Sequence, residues 1–145
     1  MASRRKGRIL AFQALYAWES NKVPVESLLD FSWLESDGQT GGKRNVSDFS
    51  RLLIAGTLEN IAAIDAMIKR HLQNWDFSRL NRVDLAILRM SAYSLMFQPD
   101  MHPSIVINEA IGISKEFGAD DSYRFINGVL DSIKQTICLQ RTPEG

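Results

Sequence analysis

Four cations stand within five residues near the start of the chain, Arg4, Arg5, Lys6 and Arg8, and Gln13 and Tyr16 follow them. Guanidinium groups bind phosphates through paired N–H bonds and stack on bases, while an aromatic ring offers a surface to an unpaired base. Basic and aromatic residues interleaved in this way suit contact with single-stranded RNA. A solvated basic terminus with Tyr16 turned into the core fits the same residues, since four charges are a weak signal.

Other chemistry is hard to assemble from this chain. The two histidines, His71 and His102, have no carboxylate or second histidine at helical metal-ligand spacing. Gly42-Lys43 fails as a phosphate loop, because Asp37 stands where the first glycine belongs and Arg44 where a serine or threonine should hold magnesium. No Gly-x-Ser-x-Gly elbow and no dinucleotide fingerprint occurs. Cys138 has no neighbouring histidine and reads as a packing residue. The expectation is a protein without catalytic residues, metal or cofactor.

The elements that must position the basic cluster read as helices. Residues 3–20 contain no proline and no glycine after Gly7, and from Ile9 to Trp18 only Gln13 is plainly polar. A helix apolar nearly all round is contacted on several sides, so its basic end is expected to project from the core as a tip. Pro24 opens a short second helix reaching towards Trp33, and residues 37–45 (DGQTGGKRN) form a polar loop. A long helix is expected from Ser47 or Asp48 to about Asn74, with Gly56 marking either a close crossing or a bend. Residues 82–97 make a second central helix, and Pro99 and Pro103 bracket the connection after it. Residues 104–117 form the next, with Gly118 as a left-handed cap. The last helix starts after Asp120 or Asp121, either of which can cap it.

No segment alternates apolar and polar residues for long enough to make a sheet. The fold class is therefore all-α, one compact domain with an N-terminal helical subdomain over about residues 1–76 and a C-terminal one over about 77–140. Apolar residues make up 45% and charged residues 23%, which excludes global disorder and fibrous repeats. Acids and bases balance at 17 each, so no whole-molecule field attracts nucleic acid. Everything before Trp18 nevertheless carries four cations and no acid. One cysteine excludes an internal disulfide framework and favours a reducing compartment. No run approaches a membrane span, and Gln13, Trp18 and Glu19 interrupt any leader-like pattern, so a soluble, cytoplasmic protein is expected.

Several segments stand in order along the chain: Arg4-Arg5-Lys6, residues 13–18 (QALYAW), Ile87-Leu88-Arg89 with Tyr93, Ile107-Asn108-Glu109-Ala110, Phe117-Gly118, and Phe125-Ile126-Asn127-Gly128-Val129-Leu130. Together they resemble the NusB family of transcription antitermination factors. Only the segment 31–45 departs from the pattern, by its length. The resemblance implies two packed helical subdomains. It also implies binding to the boxA element of nascent ribosomal RNA leader transcripts together with NusE, a small-subunit ribosomal protein. The pair would join RNA polymerase with NusA and NusG. The family's RNA-binding motif falls on Arg4, Arg5, Lys6, Arg8, Gln13 and Tyr16, and a second RNA-proximal patch on Asp121 and Phe125. Asp121 equally suits helix capping, and Phe125 packing. The NusE face is expected at Asp84 and Arg82, where Asp84 also complements the dipole of its helix. Asn108, Glu109 and Asn127 match strongly, but buried groups joining helices explain them as well. Some relatives self-associate, so a homodimer is a further expectation. An adaptor that touches only protein, and the NusB-like domain found in RNA methyltransferases, are the competing readings.

Overall fold

In the computed structural model, which describes residues 4–30, 48–72 and 76–141, the chain forms α1 (Arg4–Asn21), α2 (Val25–Asp30), α3 (Asp48–Glu59), α4 (Ile61–Arg70), α5 (Arg82–Phe97), α6 (Pro103–Phe117) and α7 (Ser122–Arg141). Among the described residues one 3-10 turn lies at Phe77–Arg79, and no strand occurs. The all-α class holds. Trp33 and the polar loop 37–45 lie outside the described residues, as do residues 73–75 just before the expected subdomain boundary at about 76/77.

The architecture turns on α5. Its residues 84–95 are buried without interruption, because apolar and small side chains cover its whole circumference. Helices α1, α3, α4, α6 and α7 all pack on it. Asn81 starts it cleanly: Oδ1 accepts from the backbone N–H of Val83 (2.8 Å) and of Asp84 (3.3 Å), satisfying two donors that the first turn leaves open. One core cluster draws Leu15 from α1, Leu53 and Ile54 from α3, Ile64 and Ile68 from α4, Ile87 and Leu88 from α5, Ile113 from α6, and Ile126 and Leu130 from α7.

The long helix expected to reach Asn74 is two helices. Asn60 interrupts it by turning its side-chain Nδ2 back to donate to the carbonyl of Gly56 at 2.8 Å. Gly56 itself answers the alternatives left open by its position. A Cβ there would collide with the ring of Tyr93, so it marks a close helix crossing, and the break falls four residues later. Pro103 belongs to the first turn of α6, where a missing N–H costs nothing, and His102 caps that turn by accepting from Ser104 N at 3.1 Å. Gly118 ends α6 with φ −98° and ψ −177°, extended and not left-handed as expected. Glycine is needed there for space, since a Cβ would sit 2.9 Å from the Ser114 carbonyl oxygen. Among the described residues no helix is long and apolar enough to cross a membrane.

Candidate nucleic-acid interface

The first turn of α1 does not project. Arg4 and Lys6 are exposed and Arg5 is half-buried, but Arg8 is only 5% exposed. This corrects the free basic tip inferred from the pattern. The apolar circumference of α1 packs it against α5 and α3, with side chains of α6 reaching its first turns, so a cation at position 8 must find its partners inside. Its Nη2 donates to Sδ of Met101 at 3.0 Å, its guanidinium lies 5.2 Å from the ring centre of Phe49, and Nη1 stands 3.9 Å from Oε1 of Glu109. Burial pushes the Arg8 pKa down, opposed by Glu109. Arg4 covers the same Phe49 ring at 4.7 Å, a cation–π contact that holds a second guanidinium at the surface.

Glu109 of α6 organises this cluster. It accepts from Nε of Arg5 through Oε1 and from Nη2 through Oε2 at 3.3 Å, a two-bond grip on one edge of the guanidinium. That hydrogen bonding raises the Arg5 pKa further. Gly112, one turn along α6, leaves the room Arg5 needs: a Cβ there would fall 2.7 Å from Nη2 and 2.9 Å from Nη1. Ser50 of α3 closes the other side by donating to the Gly7 carbonyl at 3.0 Å. Arg4, Arg5 and Arg8 line an open groove of about 730 Å³ together with Met101, His102 and Glu109.

Further along α1, Tyr16 is 39% exposed and Gln13 partly so. Eleven residues separate Tyr16 from Arg5, close to three helical turns, so the two share a face about 16 Å apart. Tyr16 is therefore not a core residue. Phe12 is buried on the same face, tilted against the Phe117 ring of α6 at 5.4 Å.

Asp121 and Phe125, the second expected patch, do meet, and they meet the expected partner face. Asp121 is exposed immediately before α7, Phe125 is partly buried, and both line a hollow of about 530 Å³ shared with Arg79, Asn81 and Asp84. Arg82 is exposed beside it and does not line it. Asp84 is only 7% exposed: Oδ2 accepts from Ser122 Oγ at 3.2 Å, while Oδ1 is buried with no hydrogen-bond partner. Burial pushes its carboxyl above the usual aspartate range, partly offset by Ser122. Helix α6 links the patches, with Glu109 on Arg5, Phe117 on Phe12, and Ala119, two residues past its end, in the wall of the hollow.

The sequence pattern missed Glu109 as part of the basic cluster, and with it Phe49 and Met101. One signal was there: a first turn with four cations and no acid has to borrow its counter-charge from another element. Asn108 and Asn127, read as candidates for buried helix-joining amides, are both exposed. No group of histidine, cysteine or carboxylate side chains suited to a metal ion occurs among the described residues.

An all-helical binding protein, with anchored arginines and an exposed aromatic ring on one face and a half-satisfied carboxylate in a neighbouring hollow, is the class these features define. The NusB family model matches residues 5–135, and the chain belongs to the NusB family. The transcription antitermination protein NusB of Treponema pallidum (strain Nichols) is 51% identical over 133 residues, covering 92% of this chain and 93% of the relative. The solved structure of NusB from T. maritima superposes with a TM-score of 0.74 at 33% identity, over 92% of each chain. A crystal structure of the antitermination factors NusB and NusE in complex with dsRNA has the same fold, with a TM-score of 0.78 at 24% identity over 92% of this chain and 96% of the other.

Proposed function

We propose that this protein is a cytoplasmic, non-enzymatic RNA-binding transcription antitermination factor. It binds boxA of nascent ribosomal RNA leader transcripts together with NusE, and the pair joins RNA polymerase with NusA and NusG. One observation carries the reading: Arg5 and the exposed ring of Tyr16 occupy the same face of α1, with Arg4 and Arg8 completing a cationic groove at its start. Arginines give a single strand bidentate phosphate contacts, and the ring gives it a stacking surface. Kinship supports the rest, since relatives over nearly the whole chain carry the name transcription antitermination protein NusB, and a structural relative is described bound to NusE and dsRNA.

NusE is assigned to the hollow at Asp84, with exposed Arg82 at its margin. A partner cation entering there would satisfy the open Oδ1, and Asp121 and Phe125 beside it would bring RNA and partner together. Two joined contact surfaces raise effective concentration, so boxA RNA should bind the pair more tightly than either protein alone. Titration of labelled boxA RNA with this protein, with NusE and with both is the test. Equal affinity for the single protein and the pair removes the cooperative model, and no binding by any of the three removes the RNA function.

A further inference from the structure

Glu109 is an odd neighbour for an RNA site. A carboxylate in a groove built of three arginines lowers its positive charge and repels phosphate, so generic attraction would be stronger without it. It is also far from idle: it holds two of the five N–H donors of Arg5 and sits 3.9 Å from the buried Arg8. Arg5 retains 42% side-chain exposure while being held, and the chain keeps glycine at position 112 so that its guanidinium can lie across α6.

We infer that Glu109 is the residue that makes the basic turn selective: by gripping the Nε–Nη2 edge of Arg5 it presents the remaining N–H donors in one fixed orientation, and by its charge it penalises RNA that does not engage them. A free arginine is a flexible cation that accepts any phosphate within reach. A gripped arginine accepts only a ligand whose oxygens lie where its outer donors point, and the nearby carboxylate adds the repulsive component that discrimination requires. Glu109 is thus a positioning residue, acting through Arg5 and Arg8. The inference rests on the RNA-binding reading above.

The test compares boxA RNA with a poly(U) strand of equal length across a salt series, on the full chain. Glu109→Gln keeps side-chain length and one acceptor but removes the charge and the second bond. It is expected to bind poly(U) more tightly, with a steeper salt dependence, and to lower the boxA-to-poly(U) affinity ratio roughly tenfold. Arg5→Lys keeps the charge but cannot be gripped along an edge. It should lower the same ratio with a wild-type salt slope, and it keeps the inference testable if Glu109→Gln fails to fold. Circular dichroism and melting curves on both variants control for the fold. A ratio left at the wild-type value in the folded variants, or affinities for both RNAs that change by one common factor, overturns the selectivity role while leaving the RNA function intact. A wild-type protein with no preference for boxA overturns the RNA reading and this inference together.

Discussion

Arg8 and Asp84 show how far a charged residue's role depends on what surrounds it. Arg8 is as enclosed as a core leucine, and its stem and guanidinium fill the space between Phe49 and Met101. Truncation to alanine should therefore cost about 1–3 kcal/mol through lost packing and a lost partner for Glu109. Arg8→Met should retain most of the stability while abolishing any phosphate contact, a difference that chemical denaturation and RNA titration read separately. If Arg8→Ala melts like wild type, the buried placement is wrong. Asp84 is the opposite case, a residue the fold pays for. Its pKa is raised in the folded protein, so its share of stability is complete below the usual aspartate value and is lost as pH rises through the raised one. Asp84→Asn should accordingly melt about 2–4 °C higher than wild type near neutrality, and the gap should close as pH falls towards 4. The same variant should bind NusE more weakly. A lower Tm at neutral pH would mean that the carboxylate is a structural asset.

Arg89 ties three elements into one joint. From α5 it donates through Nε and Nη2 to both carboxylate oxygens of Asp65 in α4, each at 2.9 Å, and through Nη1 to Glu19 of α1, also at 2.9 Å. Trp18 and Phe77 cover its guanidinium at 5.6 and 5.9 Å. Only 7% of the Arg89 side chain is exposed, so water reaches the guanidinium poorly when a partner is missing. Arg89→Ala leaves two carboxylates facing each other across a cavity and should destabilise by about 3–5 kcal/mol, enough to unfold a marginal domain. Urea unfolding measures this directly, and a loss under about 1 kcal/mol would reduce the network to the standing of a surface ion pair. Removing Asp65 or Glu19 alone should cost less, because Arg89 keeps one partner. The joint fixes the angle of α1 against α5, and so the line on which Arg5 and Tyr16 present themselves.

Across the whole molecule, zero net charge means that attraction for RNA comes from the local groove and not from a global field. Each phosphate neutralised on a single strand contributes about −0.7 to the slope of log affinity against log salt. Arg5→Ala should flatten the slope by about that amount and leave the fold in place, since half of its side chain already faces solvent. Tyr16→Ala should weaken boxA binding by about 1–3 kcal/mol with the slope unchanged, because stacking releases no counterions. If the arginine change leaves both slope and affinity at wild-type values, RNA binds on another face.

Local pattern was enough to make the all-helical class legible, along with the extent of α1 and α5, the prolines at helix starts, and the grouping of four cations on one short segment. These follow from a 3.6-residue period and from the chemistry of single residues, and both are properties of neighbours in sequence. What the cations do there was decided only by tertiary packing, which enclosed Arg8 between Phe49 of α3 and Met101 and joined Arg5 to a carboxylate of α6, 104 residues away. The division of the long helix at Asn60, the extended backbone at Gly118, and an Asp84 with one carboxylate oxygen satisfied and the other left open belong to the same kind of fact. Each depends on which surfaces the packing brings into contact, because the cost of burying a charge and the partners available to it are set by elements far apart in the chain.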